Sequence, residues 1–166
     1  MNIEAHYREI APKLTNYLVA NGMDYSAACD IVQETFLRIW KMRDDVVDEP
    51  GQVSGLAYTI ARNLRTSKFR KDSRMTFQDE IKDEDDTRLD GGVQATLPSD
   101  NEYLRRRILE ALSRLPPLLK EAYTLFQISE KSIAEIAQLT GVTENLVKVR
   151  IHRAKMQLRT LLKDLK

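Results

Sequence analysis

At 166 residues the chain has room for one ordinary domain or two small ones, and its 26 Lys and Arg against 25 Asp and Glu leave a formal net charge of only +1. The single cysteine, Cys29, excludes an internal disulfide and fits a reducing cytoplasm. Met1 to Ile10 has no apolar leader core and no run of about 18 apolar residues occurs anywhere, so a soluble, unexported protein without membrane insertion is expected.

The first half predicts helices, with no strand-like alternation. One helix runs from about Asn2 to Ala20 and stops at Asn21-Gly22; a second starts near Asp24 and reaches Met42; a third spans about Gln52 to Lys71. In the second, Ala28, Ile31, Val32, Thr35 and Ile39 share an inward face at helical spacing. Leu37 then centres the outward face, with Asp30, Gln33, Trp40 and Lys41 around it. An exposed leucine and tryptophan ringed by polar groups suggest a protein partner; the alternative is that Trp40 packs against the first helix. Cys29, in the same helix, reads as a small buried or half-buried side chain rather than a redox thiol. The third helix is expected to bury Leu56, Ala57, Ile60 and Leu64, and to present Tyr58, Arg62, Arg65 and Phe69 before running on into Lys68, Arg70, Lys71 and Arg74. Rings interleaved with bases form a surface for single-stranded nucleic acid, because a base stacks on a ring while its phosphate meets a cation. Packing of Tyr58 and Phe69 against the first helix is the ordinary alternative.

A composition break follows. Asp79, Glu80, Asp83, Glu84, Asp85, Asp86 and Asp90 are offset only by Lys82 and Arg88, and Gly91, Gly92 and Pro98 come next. Such a stretch cannot bury a core, so an extended acidic tether over 77–98 is expected between domains at 1–76 and 99–166. The second domain ends in a strong pattern. Ser132 and Glu135 form a capping box, Gly141 can take a positive φ that stops the helix, and Thr143 caps the next one. In that last helix Val147, Ile151, Ala154, Leu158, Leu161 and Leu165 fall on one face, while Val149 and Arg153 centre the other beside Asn145, His152 and Met156. Lys148, Arg150, Arg153, Lys155, Arg159, Lys163 and Lys166 outnumber Glu144 and Asp164, an excess that suits a phosphate backbone. Short capped helix, glycine turn and long basic helix together predict a helix-turn-helix.

In order along the chain these segments resemble an extracytoplasmic-function (group 4) RNA polymerase sigma factor of the sigma-70 family, over nearly the whole length. The run Asp30-Ile-Val-Gln-Glu-Thr-Phe-Leu-Arg-Ile-Trp40 is similar to the family's region 2.2, and Ala57-Tyr-Thr-Ile-Ala-Arg-Asn-Leu64 with the basic stretch after it resembles regions 2.3 and 2.4. Leu112-Ser-Arg-Leu-Pro-Pro117 and the helix-turn-helix resemble region 4. The resemblance implies an all-α protein of two small helical domains. It also implies that Asp30, Gln33, Glu34, Leu37 and Trp40 dock on the β′ clamp helices of core polymerase. Tyr58, Ile60, Arg62, Asn63, Arg65, Lys68, Phe69 and Arg70 would serve the −10 element, Ile60 and Asn63 lining the pocket for a flipped base. Thr143, Asn145, Lys148, Val149, His152, Arg153 and Lys155 would serve the −35 element, while region 4 also holds the β flap. An anti-sigma factor is an expected partner, and the acidic tether would run toward the RNA exit path. Three departures from the family pattern stand out. Val149 stands where serine is common, which exchanges a hydroxyl contact for an apolar one to a thymine methyl. The loop Val46-Val-Asp-Glu-Pro-Gly51 lacks the aromatic-glycine element, and Ser129-Glu-Lys131 replaces the usual glycine before the helix-turn-helix.

Two other classes share part of this pattern. A sigma-mimicking regulator that titrates an anti-sigma factor keeps the helices but has no need of the DNA-reading bases, which are retained here. A helix-turn-helix repressor has no use for the Asp30 to Trp40 surface. Catalysis, a cofactor, a metal and a small-molecule substrate are not expected: His6 and His152 lie in different halves, Cys29 has no ligand spacing around it, and no glycine-rich phosphate loop occurs.

Overall fold

The computed structural model describes residues 1–76 and 100–163, without the side chains of 72–76, 100 and 101. The expected tether over 77–98, and Asp164, Leu165 and Lys166, lie outside the described residues. Every regular element among the described residues is helical: α1 (Ile3–Ala20), α2 (Tyr25–Lys41), a 3₁₀ turn (Arg43–Asp45), α3 (Pro50–Thr76), α4 (Asp100–Ser113), α5 (Pro117–Gln127), α6 (Ile133–Thr140) and α7 (Glu144–Leu161). Contacts divide the chain into two units. The first is built on residues 1–18 and the described residues from Met23 to 76; the second on Val19–Gly22 and the described residues from 100 onward.

In the first unit α1 and α2 have side-chain caps at their starts. The Asn2 carboxamide oxygen accepts from the Ala5 N–H at 3.1 Å at the head of α1, and the Asp24 carboxylate accepts from the Ala27 N–H at 2.7 Å at the head of α2. α1 continues through Pro12, which forfeits one backbone bond to the Arg8 carbonyl, and ends in a left-handed Gly22 (φ 106°) with Met23 N–H bonded to the Leu18 carbonyl. The core joins Leu14, Tyr17 and Leu18 of α1 to Val32, Phe36 and Ile39 of α2 and to Val53, Ala57, Tyr58 and Ala61 of α3. Tyr7 meets Phe36 edge-on with centroids 5.1 Å apart, and Tyr17 meets Tyr58 at 5.5 Å. The inward face expected of α2 is buried as read, with Phe36 added.

The face of α3 is turned from the expected one. Val53, Ala57, Tyr58 and Ala61 are buried, whereas Leu56, Ile60 and Leu64 are only half-buried. Two apolar rows run side by side along this helix, and the row with the small side chains lets neighbouring helices approach closely. Packing density at close approach, rather than the number of large apolar residues, decides which row goes inside.

In the second unit α7 packs on α4, α5 and α6, burying Val147, Ile151, Ala154 and Leu158 with Leu112, Leu115, Leu125 and Ile136 also in the core. Leu161 is half-buried.

Candidate nucleic-acid interface

The helix-turn-helix geometry comes from local chemistry. The Ser132 hydroxyl accepts from the Glu135 N–H at 3.1 Å while the Glu135 carboxylate accepts from the Ser132 N–H at 2.8 Å, closing the capping box. Gly141 sits at φ 76°, where a side chain would be strained, and turns the chain out of α6. The Thr143 hydroxyl accepts from the Leu146 N–H at 3.1 Å and starts α7. With one row of α7 in the core, Asn145, Lys148, His152, Arg153 and Lys155 are exposed, as is Thr143 at the start of the helix, and Val149 is 40% exposed on the same side. Arg150 is half-buried. The Lys155 ammonium lies 5.5 Å from the centroid of the Phe126 ring of α5, a support the sequence pattern did not signal. The result is a helix face with hydrogen-bond donors around the exposed apolar side chains of Val149 and Met156, on the scale of a major groove.

The turn before α6 solves the missing-glycine problem by strain. Glu130 takes φ 58°, and the Lys131 N–H reaches the Leu125 carbonyl at 3.0 Å. A left-handed conformation favours glycine, and here a glutamate adopts it, at the segment where the sequence resemblance led a glycine to be expected.

The basic side of α3 differs from expectation at one residue. Tyr58 is 2% exposed and meets Tyr17 at a tilt of 56° between ring planes, so it cannot stack on a nucleic-acid base; the core alternative for this ring is the one the structure shows. Phe69, by contrast, is 40% exposed. Asn63, Lys68 and Arg70 are exposed and Ile60 and Arg62 half-buried. The Arg65 guanidinium lies between two rings, 5.8 Å from the centroid of Tyr17 and 5.7 Å from that of Phe69. Its Nε and Nη1 are buried without an acceptor among the described residues. The exposed Phe69 ring, with the bases Lys68 and Arg70 exposed beside it, offers a π-face next to cations. Lys68 is placed differently from its neighbours and lines a cleft with Asp30 and Glu34 of α2.

The outward face of α2 carries Asp30, Gln33, Leu37 and Trp40, all exposed, with Glu34 half-buried and bonded to Arg38 at 3.0 Å. Trp40 is 41% exposed. Its indole is covered on one face by Arg43, whose guanidinium carbon is 3.9 Å from the ring centroid and whose Nη1 donates to the Trp40 carbonyl at 2.8 Å. The Trp-x-x-Arg spacing was the available sign of this pair. At the other end of α2 a hydrogen bond between Tyr25 and the half-buried Cys29 raises the phenol's pKa. The loop after the 3₁₀ turn is held to α1 by His6 Nε2, 2.7 Å from Asp48 Oδ1. Among the described residues no cluster of His, Cys, Asp and Glu has the makings of a metal site, and no helix is long and apolar enough to cross a membrane.

Two family profiles match the chain: sigma-70 region 2 over residues 3–75 and sigma-70 region 4 over residues 105–158. The chain is similar to the RNA polymerase sigma factor CarQ of Myxococcus xanthus, with 30% identity over 93% of this chain and 86% of CarQ. It is also similar to the ECF RNA polymerase sigma factor SigW of Bacillus subtilis, with 30% identity over 82% of this chain and 75% of SigW. Among solved structures, the sigma factor RpoE of Bartonella quintana, in its complex with the anti-sigma factor NepR, shares the fold with a TM-score of 0.79. That match has 23% identity and covers 96% of each chain.

Proposed function

The chain belongs to the extracytoplasmic-function sigma factors of the sigma-70 family, and we propose that it acts as a group 4 alternative sigma factor in the bacterial cytoplasm. It binds core RNA polymerase and directs it to promoters by reading −35 and −10 elements; the family consists of transcription factors rather than enzymes. The observation that carries this reading is the presence, in order on one chain, of a region 2 unit with an exposed Leu37 and Trp40 on α2 and a region 4 unit with an exposed basic recognition helix.

In this reading α7 enters the −35 major groove with Arg153, His152 and Lys148 at base edges and Val149 against a thymine methyl. Phe69, Arg65 and Asn63 of α3, with Ile60 beside them, take the unpaired −10 strand. Domains of 1–76 and 99–166, joined by the acidic segment, raise each other's effective concentration on a promoter once polymerase holds them. An anti-sigma protein is the proposed inhibitor. The mimic reading is disfavoured because the exposed bases of α7 are retained.

The test is co-purification with core polymerase and run-off transcription. Gln33→Ala with Leu37→Asp removes two exposed side chains, so helical content stays unchanged while association and run-off product are lost. Wild-type yield of polymerase complex from the double variant overturns the docking assignment.

A further inference from the structure

Lys155 differs from several other bases of the chain in what holds it. Arg8, Arg38 and Arg107 lean on Glu4, Glu34 and Glu110, with N–O distances of 2.9, 3.0 and 3.4 Å. The Lys155 ammonium has no such carboxylate among the described residues and sits instead 5.5 Å from the centroid of the Phe126 ring. A carboxylate and a phosphate compete for one cation, so a paired base must give up one anion before it takes another. A ring attracts the cation through its quadrupole and carries no net charge. It therefore orders an ammonium without neutralising it, and the three N–H donors stay available to an oxygen acceptor.

We infer that Phe126 is a positioning residue for DNA binding: its ring holds the Lys155 ammonium in place for a backbone phosphate beside the −35 element. The inference rests on the reading of α7 as the −35 helix. The ring has a firm base. Phe126 is half-buried in the last turn of α5, directly after the buried Thr124 and Leu125, and α5 packs on α7. Ring and recognition helix are thus fixed to the same core. Lys155, by contrast, is exposed on a flexible four-carbon stem, and a free stem must lose its rotamers when the ammonium meets a phosphate. The ring supplies part of that ordering before DNA arrives. Lys148, two turns earlier on α7, is also exposed but has no ring contact among the described residues. The helix therefore carries its own comparison: one lysine ordered by a ring and one left to solvent.

The experiment measures binding of the full chain, seated on core polymerase, to duplex promoters with a matched or a scrambled −35 element over a range of salt concentrations. Phe126→Leu keeps an apolar side chain and removes the ring. It is expected to weaken binding about two- to tenfold, the range for ordering one long side chain. The loss is equal on both duplexes, and the log–log salt slope stays unchanged because the phosphate contact still forms. In a Lys155→Ala background, where the slope is already shallower by about 0.9, Phe126→Leu has no further effect; in a Lys148→Ala background it keeps its full effect. Phe126→Tyr retains the ring and wild-type binding. Phe126→pentafluorophenylalanine keeps the shape but reverses the charge of the ring face, so it reproduces the loss even where the leucine variant folds poorly. An equal loss from the ring variants with and without Lys155 overturns the inference, since Phe126 then acts only through folding. Tighter binding by the leucine or fluorinated variant also overturns it, because the ring then withholds the ammonium from phosphate. A wild-type complex that ignores the −35 element removes the reading of α7 itself, whereas wild-type recognition with unresponsive ring variants removes only the role of Phe126.

Discussion

The recognition helix α7 and the long helix α3 both present bases, but they hold them differently. α7 is bounded by a glycine at φ 76° and a threonine cap, buries one row of side chains, and leaves its donors on a regular helical face. α3 takes its face from tertiary contacts: Tyr58 is buried against Tyr17, and the Arg65 guanidinium lies 5.8 Å and 5.7 Å from the ring centroids of Tyr17 and Phe69. The contrast separates two tasks. A duplex is a fixed shape and is met by a pre-set lattice of donors, whereas a single strand has exposed base faces and is met by a ring with a cation beside it.

The largest effect expected from breaking this contrast falls on stability. Tyr58→Ala empties a fully packed site and is expected to cost about 3–5 kcal/mol, enough to unfold the first unit in a thermal melt followed by circular dichroism; Tyr58→Phe keeps the ring packing and costs far less. A Tyr58→Ala protein that melts normally yet fails to open promoters would return this ring to the DNA surface.

Smaller and more selective are the changes on the exposed part of α3. Phe69→Ala is expected to lower affinity for a −10 single strand by about 1–3 kcal/mol, and Asn63→Ala acts on the same step, with closed-complex formation and thermal stability little changed. Permanganate reactivity of −10 thymines should fall on duplex promoters and recover on a premelted bubble, where the unstacking cost is already met. Full reactivity of both variants on duplex DNA contradicts the assignment.

On α7 the two kinds of contact separate by their specificity. Arg153→Ala is expected to cost about 1–3 kcal/mol on a matched −35 element and to relax choice at one base pair. Lys155→Ala, which also gives up the contact with Phe126, weakens binding to all sequences and shallows the salt slope by about 0.9. Gel-shift titrations on matched and scrambled elements check both, and identical behaviour of the two variants defeats the distinction.

The smallest effect concerns Glu130. Glycine relieves the left-handed backbone, worth about 1–2 kcal/mol, against about 0.5–1 kcal/mol of added chain entropy. Glu130→Gly is therefore expected to raise the melting temperature by about 1–3 °C. A lowered melting temperature shows that the glutamate side chain contributes more than its backbone costs.

Elements with chemical end-marks were legible in the sequence. Ser132 with Glu135, Gly141 and Thr143 all cap as read, and α2 starts beside Asp24 as expected, because each bond joins residues three or four apart. The buried row of α2 was equally plain, since Ala28, Ile31, Val32, Thr35 and Ile39 leave no competing face. α3 was misread in part: Ala57 is buried as expected, but Leu56, Ile60 and Leu64 compete with Val53, Tyr58 and Ala61, and close packing against the neighbouring helices, which no local pattern encodes, decides between them. Of the site residues proposed from sequence, Tyr58 fails for that reason and Lys68 is shared with α2. Glu130 in place of glycine was visible as a substitution, but its φ of 58° was not.

Arg43 clamped on Trp40 gives the outer face of α2 a further property. A tryptophan on a surface ordinarily samples several rotamers, and a partner that seizes it must first freeze them, at roughly 0.5–1.5 kcal/mol for an immobilised side chain. Here the guanidinium lies over the ring, 3.9 Å from its centroid, and is itself anchored to the tryptophan's own carbonyl, a contact worth about 0.5–1 kcal/mol at an exposed site that favours this orientation of the indole. Part of the ordering that a partner would impose on the largest exposed ring of the helix is thereby met in advance.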